Sequence, residues 1–506
     1  MAKPVFTRRQ VLTTGTGLIV VNTLSLAGCG GGGANAGTSD ATSSSAPPAP
    51  ASLSAGSGDA LWDAAYTARR GSLDAAIWLA TDGLDSNPGT QAAPFATMGR
   101  ALSKVTPNGL IVVKDGQYVA GESGWINDHF GTVPSGVRVF AQNPFKARIS
   151  SNSSQYDGAA IVLERATGVW IDGIVIDRAS AQYEYAINLG NNNTLSRCIV
   201  KMHTVSQYGG AVACGSGCVV EDVHAFGAGR YMFYSGSGGN SVAVGNNVLR
   251  RCVSHLAFNR LQEPSASFSF YGSNDADYAG VANMLYANCY EIDSPALYRG
   301  DPDATKWAAF YCPKAVRNVR FVGCGVINAG ATYGGFRTDN FGSQSVQLAS
   351  YSNCFVAGLA GSAGSGITPQ GFSASSSTGT NPASDCTVFN APAGFASNVP
   401  TTRPLTSGTI YPVRKLAGSG AEQRYAVGKL LSRWGDAGFD APQTNLPLWP
   451  FPYESVIASF FAEIVPRPGP AGAFYGPANS INPFVSASFT RRVWESCGNA
   501  QPADFY

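Results

Sequence analysis

The sequence predicts an all-β solenoid, and three observations carry that prediction. Charged residues make up 13% of the 506, about half the usual globular share, while glycine reaches 60 residues. Such a composition suits short strands and tight turns better than long helices. Second, one pattern recurs along the chain: "GVWIDGIVIDRA" at 168–179, "NTLSRCIVKMH" at 193–203, "GCVVEDVHAFG" at 217–227, "NVLRRCVSHLA" at 247–257, "NMLYANCYEID" at 283–293 and "NVRFVGCGVIN" at 318–328. Each copy opens near an Asn or Gly and then alternates, as strands between turns do. Third, Cys198, Cys252, Cys289 and Cys324 fall at one place in the repeat, which Ile174 and Asp222 are expected to share. Strand repeats a few tens of residues long bury their apolar face only by stacking, so a chain too long for one compact core is read as elongated.

The elements follow in chain order. Residues 1–28 read as an export leader of the twin-arginine type: Arg8 and Arg9 precede an apolar run, from about Leu18 to Leu26, that is too short to span a membrane. The run ends in Leu26-Ala27-Gly28-Cys29, which resembles the bacterial lipobox. That resemblance implies acylation of Cys29 and a membrane anchor. Residues 29–58 are Gly, Ser, Ala, Thr and Pro with almost no large apolar side chain, a flexible tether. Residues 59–398 form the solenoid with its cap. Its entrance is "TDGLDSNPGTQAAPFATMGRALSKV", where Asp82 and Asp85 invite a calcium loop. The oxygen ligands do not continue at regular spacing, however, and Pro88-Gly89 closes the stretch as a turn. "PFATMGRALSKV" then predicts an N-terminal helical cap, with Phe95, Met98, Ala101 and Leu102 on one side. Solenoid ends need such a cover for their open core and strand edges. Residues 399–506 are rich in aromatics and proline ("LWPFPYESVIASFFAEIV"), lack the repeat, and are expected to pack as a module on the last coils.

From about Asp82 to Phe395 the repeats resemble the right-handed parallel β-helix of the pectin-lyase-like superfamily. The resemblance implies that the Asn of each repeat sits at a tight turn, bonded to its neighbours above and below. It also implies an inward ladder at the Cys positions. Buried cysteine behaves as a small hydrophobe, so an unbonded stack is expected, although coils about 4.8 Å apart would also allow a disulfide between rungs. Ten cysteines follow Cys29; they form no C-x-x-C pair, and the four histidines do not complete a zinc cluster.

In such a fold, function usually sits on an outer face where equivalent positions of neighbouring coils form rows. Counting three past the Cys position gives Asp177, Lys201, Ala225 and His255, with His203, His224, Arg230, Arg250 and Arg251 nearby. Histidine and lysine are the side chains suited to acid or base work near neutral pH. Lyases of the superfamily abstract the C5 proton of a uronic acid and neutralise its carboxylate, often with calcium. By that resemblance Lys201 is the candidate base, His203, Arg230 or His255 the carboxylate partners, and Asp177 and Asp222 the calcium ligands. Hydrolases need paired carboxylates instead, for which Asp275 with Asp277 and Asp301 with Asp303 are candidates. Tyr208, Tyr231, Tyr234 and Arg251 are the candidate sugar-binding residues, among loop aromatics that include Trp125, Tyr183, Tyr185 and Tyr271.

These features imply an exported protein, lipid-anchored at Cys29 on the periplasmic or cell-surface side of a bacterial membrane and acting on polysaccharide. A lyase on an acidic glycan is the first reading. A non-catalytic glycan-binding or structural lipoprotein is the second, and an epimerase or glycoside hydrolase the third. A net charge of +2 gives no sign of a nucleic-acid partner. The row Asp177–Lys201–His255 discriminates: in an open groove it favours the enzyme, and covered by the C-terminal module it favours binding.

Overall fold

The computed structural model describes residues 57–395, less the connecting segments 122–123, 152–158, 179–184, 203–208, 237–243, 259–264, 272–280, 293–306, 313–316, 330–333, 340–348, 360–369, 375–380 and 390–392. Beyond them it describes residues 431–441, 453, 456, 457, 459 and 460. The chain winds through three strands per coil. Thr194–Ser196, Ile199–Met202 and Val212–Cys214 are one such set, and each pairs in parallel with its counterparts one coil before and after. The result is three parallel sheets of eleven, ten and ten strands, a right-handed parallel β-helix. The first sheet runs from Ile77–Leu79 to Ala383–Ser384, the second from Gly116–Val119 to Thr387–Phe389, and the third from Ile126–Asn127 to Ala393–Phe395.

The corner between the first and second sheets is the most regular part of the coil. From the Arg197–Cys198 coil onward it is a two-residue turn: Arg197-Cys198, Asp222-Val223, Arg251-Cys252, Asn288-Cys289, Gly323-Cys324, Asn353-Cys354 and Asp385-Cys386. The first residue of each pair is left-handed, with φ between 46° and 65°. This conformation costs most side chains about 1–2 kcal/mol and is easiest for Gly, Asn and Asp, which hold five of the seven positions. The second residue points inward. Asp222 is therefore corrected by one position: it stands with Arg197 and Arg251, and Val223 takes the ladder place.

The asparagines behave as the repeat implies, at the corner that leads into the first sheet. Asn283 Nδ2 donates to Asn246 Oδ1 at 2.8 Å and Asn318 Nδ2 to Asn283 Oδ1 at 2.7 Å, one bond per coil. Beside them, Asn193 Oδ1 accepts from the Val169 amide and Asn247 Oδ1 from the Cys218 amide, satisfying backbone donors of the neighbouring coil.

Inside the tube, Phe233, Phe268, Phe310, Phe336 and Phe372 stack along the third sheet with centroids 4.5–4.8 Å apart. Tyr286, Phe321 and Tyr351 stack on the first sheet and meet them edge-on. The nine described cysteines are buried and free. The predicted cap is present: Met98–Leu102 is a helix whose Met98, Ala101 and Leu102 are buried, and Thr97 Oγ1 caps it by accepting from the Arg100 amide. Asp85 accepts from the amides of Ala96 and Thr97 and from the Thr97 hydroxyl, so its oxygens secure that entrance.

A longer helix, Ser57–Arg70, precedes the first coil. Its Tyr66 is buried, with Trp78, Phe140, Val175, Ile199 and Phe355, in an apolar layer outside the tube that also takes in Tyr453, Val456, Ile457 and Phe460. The described part of the C-terminal module thus touches coils from that of Arg148 to that of Arg320. The reason is visible in the outer face of the second sheet, where the row Val175, Ile199, His224, Val253 and Tyr290 is apolar but for one imidazole and needs cover.

Candidate functional site

The expected row is assembled by the second sheet: Asp177, Lys201, Phe226 and His255 stand in register on adjacent coils. Phe226 takes the place expected for Ala225, a consequence of the one-residue shift at Asp222. The row is not an open groove. Lys201 is 0% exposed, its Nζ 3.8 Å from Asp177 and 5.9 Å from the centroid of the Phe460 ring. Arg148 lies over the same ring and donates to Asp177 Oδ2 from Nε at 2.9 Å. His255 Nδ1 is 2.8 Å from the Ile292 carbonyl oxygen. Burial holds the His255 imidazole down at about 4 and the His224 imidazole at about 3. Both rings are therefore neutral near pH 7.

Asp222 and Arg251, the other two residues at this end of the fold, belong to a buried ion cluster at the corner. Arg251 Nε donates to Asp222 Oδ1 at 2.7 Å, and its Nη2 bonds both Glu221 and Asp222. Tyr66 Oη donates to Asp222 Oδ2 at 2.7 Å; burial first, and then the Asp222 and Glu221 carboxylates, hold its phenol well above the usual value. Arg250 bonds Glu221, the Ser432 carbonyl at 2.8 Å and the Phe439 carbonyl at 3.0 Å. The Leu431 amide donates to Glu221 Oε2 at 3.0 Å. One coil earlier Arg197 joins Asp172 to Asp63 of the first helix, and Asp63 in turn accepts from Tyr453. Asp177 and Asp222 thus stand on different rows, each beside an arginine. Among the described residues no group of three or more His, Cys, Asp and Glu is arranged to hold a metal ion.

The outer face of the third sheet is different in kind. Its outward row runs Asn127, Val162, Asn188, Ala213, Tyr234, Ser269, Tyr311, Arg337 and Ser373, one residue per coil. In the middle, Tyr185, Tyr234 and Tyr231 form a continuous stack with 5.3 Å between successive rings, and the Arg230 guanidinium lies 4.8 Å from the Tyr231 centroid. Tyr231 is buried as the backing of the stack, while Tyr185 and Tyr234 keep part of their surface accessible. In the next two coils Ala266 and Ala308 stand in register with Tyr231 and are buried with it and Tyr311. Two coils on, roughly 10 Å along the axis, Tyr311 Oη donates to Asp339 Oδ2 at 2.9 Å and Arg337 Nε to the same oxygen at 3.1 Å. At the early end His129 Nε2 lies 2.8 Å from Glu164 Oε2, which the same register places one coil on. Arg165 and Asn188 complete that group, at 3.3 Å from His129 Nδ1 and 2.9 Å from Glu164 Oε1.

This face therefore gathers Arg230, Tyr231 and Tyr234 of the expected residues and separates them from Lys201, His255, Asp177, Asp222 and Arg251. His203, Tyr208, Cys29 and the paired aspartates at 275, 277, 301 and 303 lie outside the described residues. Sequence reasoning missed His129, Glu164, Tyr311, Arg337 and Asp339. The signal for the first pair was present, since His129 and Glu164 each stand two residues past the end of corresponding third-sheet strands.

A sequence family described as "Protein of unknown function (DUF1565)" matches residues 81–201. No curated protein sequence matches the chain. Among solved structures the chain is similar to a pectate lyase, Pel9A, at 15% identity and a TM-score of 0.42, covering 66% of this chain and 81% of that one. It is also similar to a rhamnogalacturonan lyase (14% identity, TM-score 0.36, 57% and 83% covered) and to a PL6 family polysaccharide lyase from Pseudopedobacter saltans (9%, 0.35, 62% and 86%).

Proposed function

We propose that this chain is an exported glycan-binding protein that seats a polysaccharide on the outer face of its third sheet. The observation that carries the reading is the Tyr185–Tyr234–Tyr231 stack, backed by Arg230 and set on a sheet whose two edges bear the long connections of the coil. Flat aromatic surface suits the apolar faces of sugar rings, and Arg337 and the His129–Glu164 pair supply polar contacts on either side. The C-terminal cover over Lys201 favours binding over catalysis at that row. An anchor at Cys29 would hold the protein at a membrane. The test is retardation of the purified protein in gels containing uronic-acid and neutral polysaccharides. Retardation by at least one glycan, lost in Tyr234→Ala and in Tyr185→Ala, is the expected result; no retardation on any polymer, or variants that behave as wild type, would sink it.

A second reading keeps the lyase, because Asp177, Lys201 and His255 do share one row. Its base reaches substrate only if Phe460 lifts away. Unsaturated sugar ends, followed by ultraviolet absorbance with and without calcium, should then appear faster with Phe460→Ala and vanish with Lys201→Ala. A flat trace for both variants and the wild type rejects it.

A further inference from the structure

The inward ladder contains an uninterrupted run of five thiols. Cys252, Cys289, Cys324, Cys354 and Cys386 each precede the first residue of a second-sheet strand, and those strands pair in register, so the five stand on five successive coils. Each is at most 3% exposed. The sulfurs of Cys252, Cys289, Cys324 and Cys354 donate to carbonyls of the preceding coil, those of Val220, Leu249, Tyr286 and Phe321, at 3.3–3.5 Å. Neighbouring rungs are about 4.8 Å apart, inside the Cα separation a disulfide spans. Rungs two apart are about 10 Å from one another, beyond the roughly 7 Å limit. A disulfide between non-neighbouring rungs would hold together two coils that the fold must separate.

In the closed tube no oxidant reaches these sulfurs. In the unfolded chain all five are open, and nothing in their spacing selects one partner. An oxidised dithiol oxidase of the kind found outside the cytoplasm would convert any two: two thiols form one disulfide, while their two electrons and two protons reduce the oxidase's own disulfide to a dithiol. The paired arginines Arg8 and Arg9 belong to a leader type that carries folded cargo.

We propose that this ladder obliges the chain to close its β-helix in a reducing compartment, before export, and that the folded core then protects the thiols for the life of the protein. Valine already occupies the equivalent rung at Val223, so Cys→Val is tolerated by the ladder's own geometry. The variant C289V/C354V leaves Cys252, Cys324 and Cys386, no two of them on neighbouring rungs. The full chain is unfolded with reductant and refolded by dilution into either reduced or oxidised glutathione. Wild type should give soluble, strand-rich protein in the reducing buffer and several-fold less in the oxidising one, with disulfides between non-neighbouring rungs in the insoluble fraction. Those pairings are mapped on the wild type, so they report even if the variant folds poorly. C289V/C354V should lose at least as large a share of its yield on oxidation, because every disulfide its ladder can still form joins coils that the fold must separate. Equal wild-type yields in the two buffers, or an insoluble fraction free of ladder disulfides, overturns the proposal. In cells, a leader that threads unfolded chains should deliver wild type with ladder disulfides; delivery with the ladder thiols free overturns it too.

Discussion

The corner between the first and second sheets and the face of the third sheet are built on opposite plans. At the corner two residues suffice in seven coils, the backbone repeats one left-handed step, and the side chains outside it are locked by buried ions and by both terminal segments. At the third sheet the connections range from residues 229–230 to residues 293–306, and the outward row mixes Tyr and Ser with Asn, Val, Ala and Arg. Regularity goes with the ion-locked corner, and irregularity with the face that carries the partly accessible Tyr185, Tyr234 and Arg337. A solenoid needs one edge to keep its coils in phase, and is then free to vary the others.

The sharpest way to break this contrast is Arg251→Met. It strands the buried Glu221 and Asp222 carboxylates and should cost about 3–5 kcal/mol in chemical denaturation. Glycan retardation of the folded fraction should not change; a loss below about 1 kcal/mol would mean the corner is not what holds the coils and terminal segments together. Acid should act on the same region next. Folded His224 titrates at about 3, below its usual 6.5, so the unfolded chain takes up the proton first. Its contribution to stability is whole above pH 6.5 and is lost as the pH falls toward 3. Urea midpoints should therefore drop across that window, and His224→Gln should flatten the drop. Tyr66→Phe removes one donor from Asp222 and should cost about 1–2 kcal/mol, the smallest lesion expected at the corner. On the other side Tyr234→Ala should cost only about 1 kcal/mol of stability while abolishing glycan retardation. Equal stability losses for Tyr234→Ala and Arg251→Met would erase the distinction between the two regions.

The fold was legible because the corner repeats a simple order, a residue tolerant of positive φ followed by an inward small one: Asn288-Cys289, Gly323-Cys324 and Asn353-Cys354. The same rule exposes the misplacement of Asp222. "EDVH" puts the tolerant residue first and Val223 second, whereas the sulfur of cysteine drew the eye to chemistry rather than to backbone. The outward row through Lys201 was legible too, since three residues past the ladder is a strand-length count. Its cover was not. Phe460 comes from a segment without repeat, and what packs on an apolar strip is decided by tertiary contacts that no local period records. The tyrosine stack was half legible: Tyr185, Tyr231 and Tyr234 were all singled out as aromatics, but that they stack follows only because coils separated by tens of residues bring the rings to 5.3 Å.

The phase-locked corner has a consequence for how such a molecule can change in length. Every left-handed residue, every inward thiol and every phenyl ring is addressed by its coil, so losing half a turn would misalign all later rungs, whereas removing a whole turn rejoins matching ends. Length is thus quantised, in steps of one coil and about 4.8 Å. Over generations this architecture would grow or shrink by duplicating and deleting complete windings, much as a chain is altered by the link.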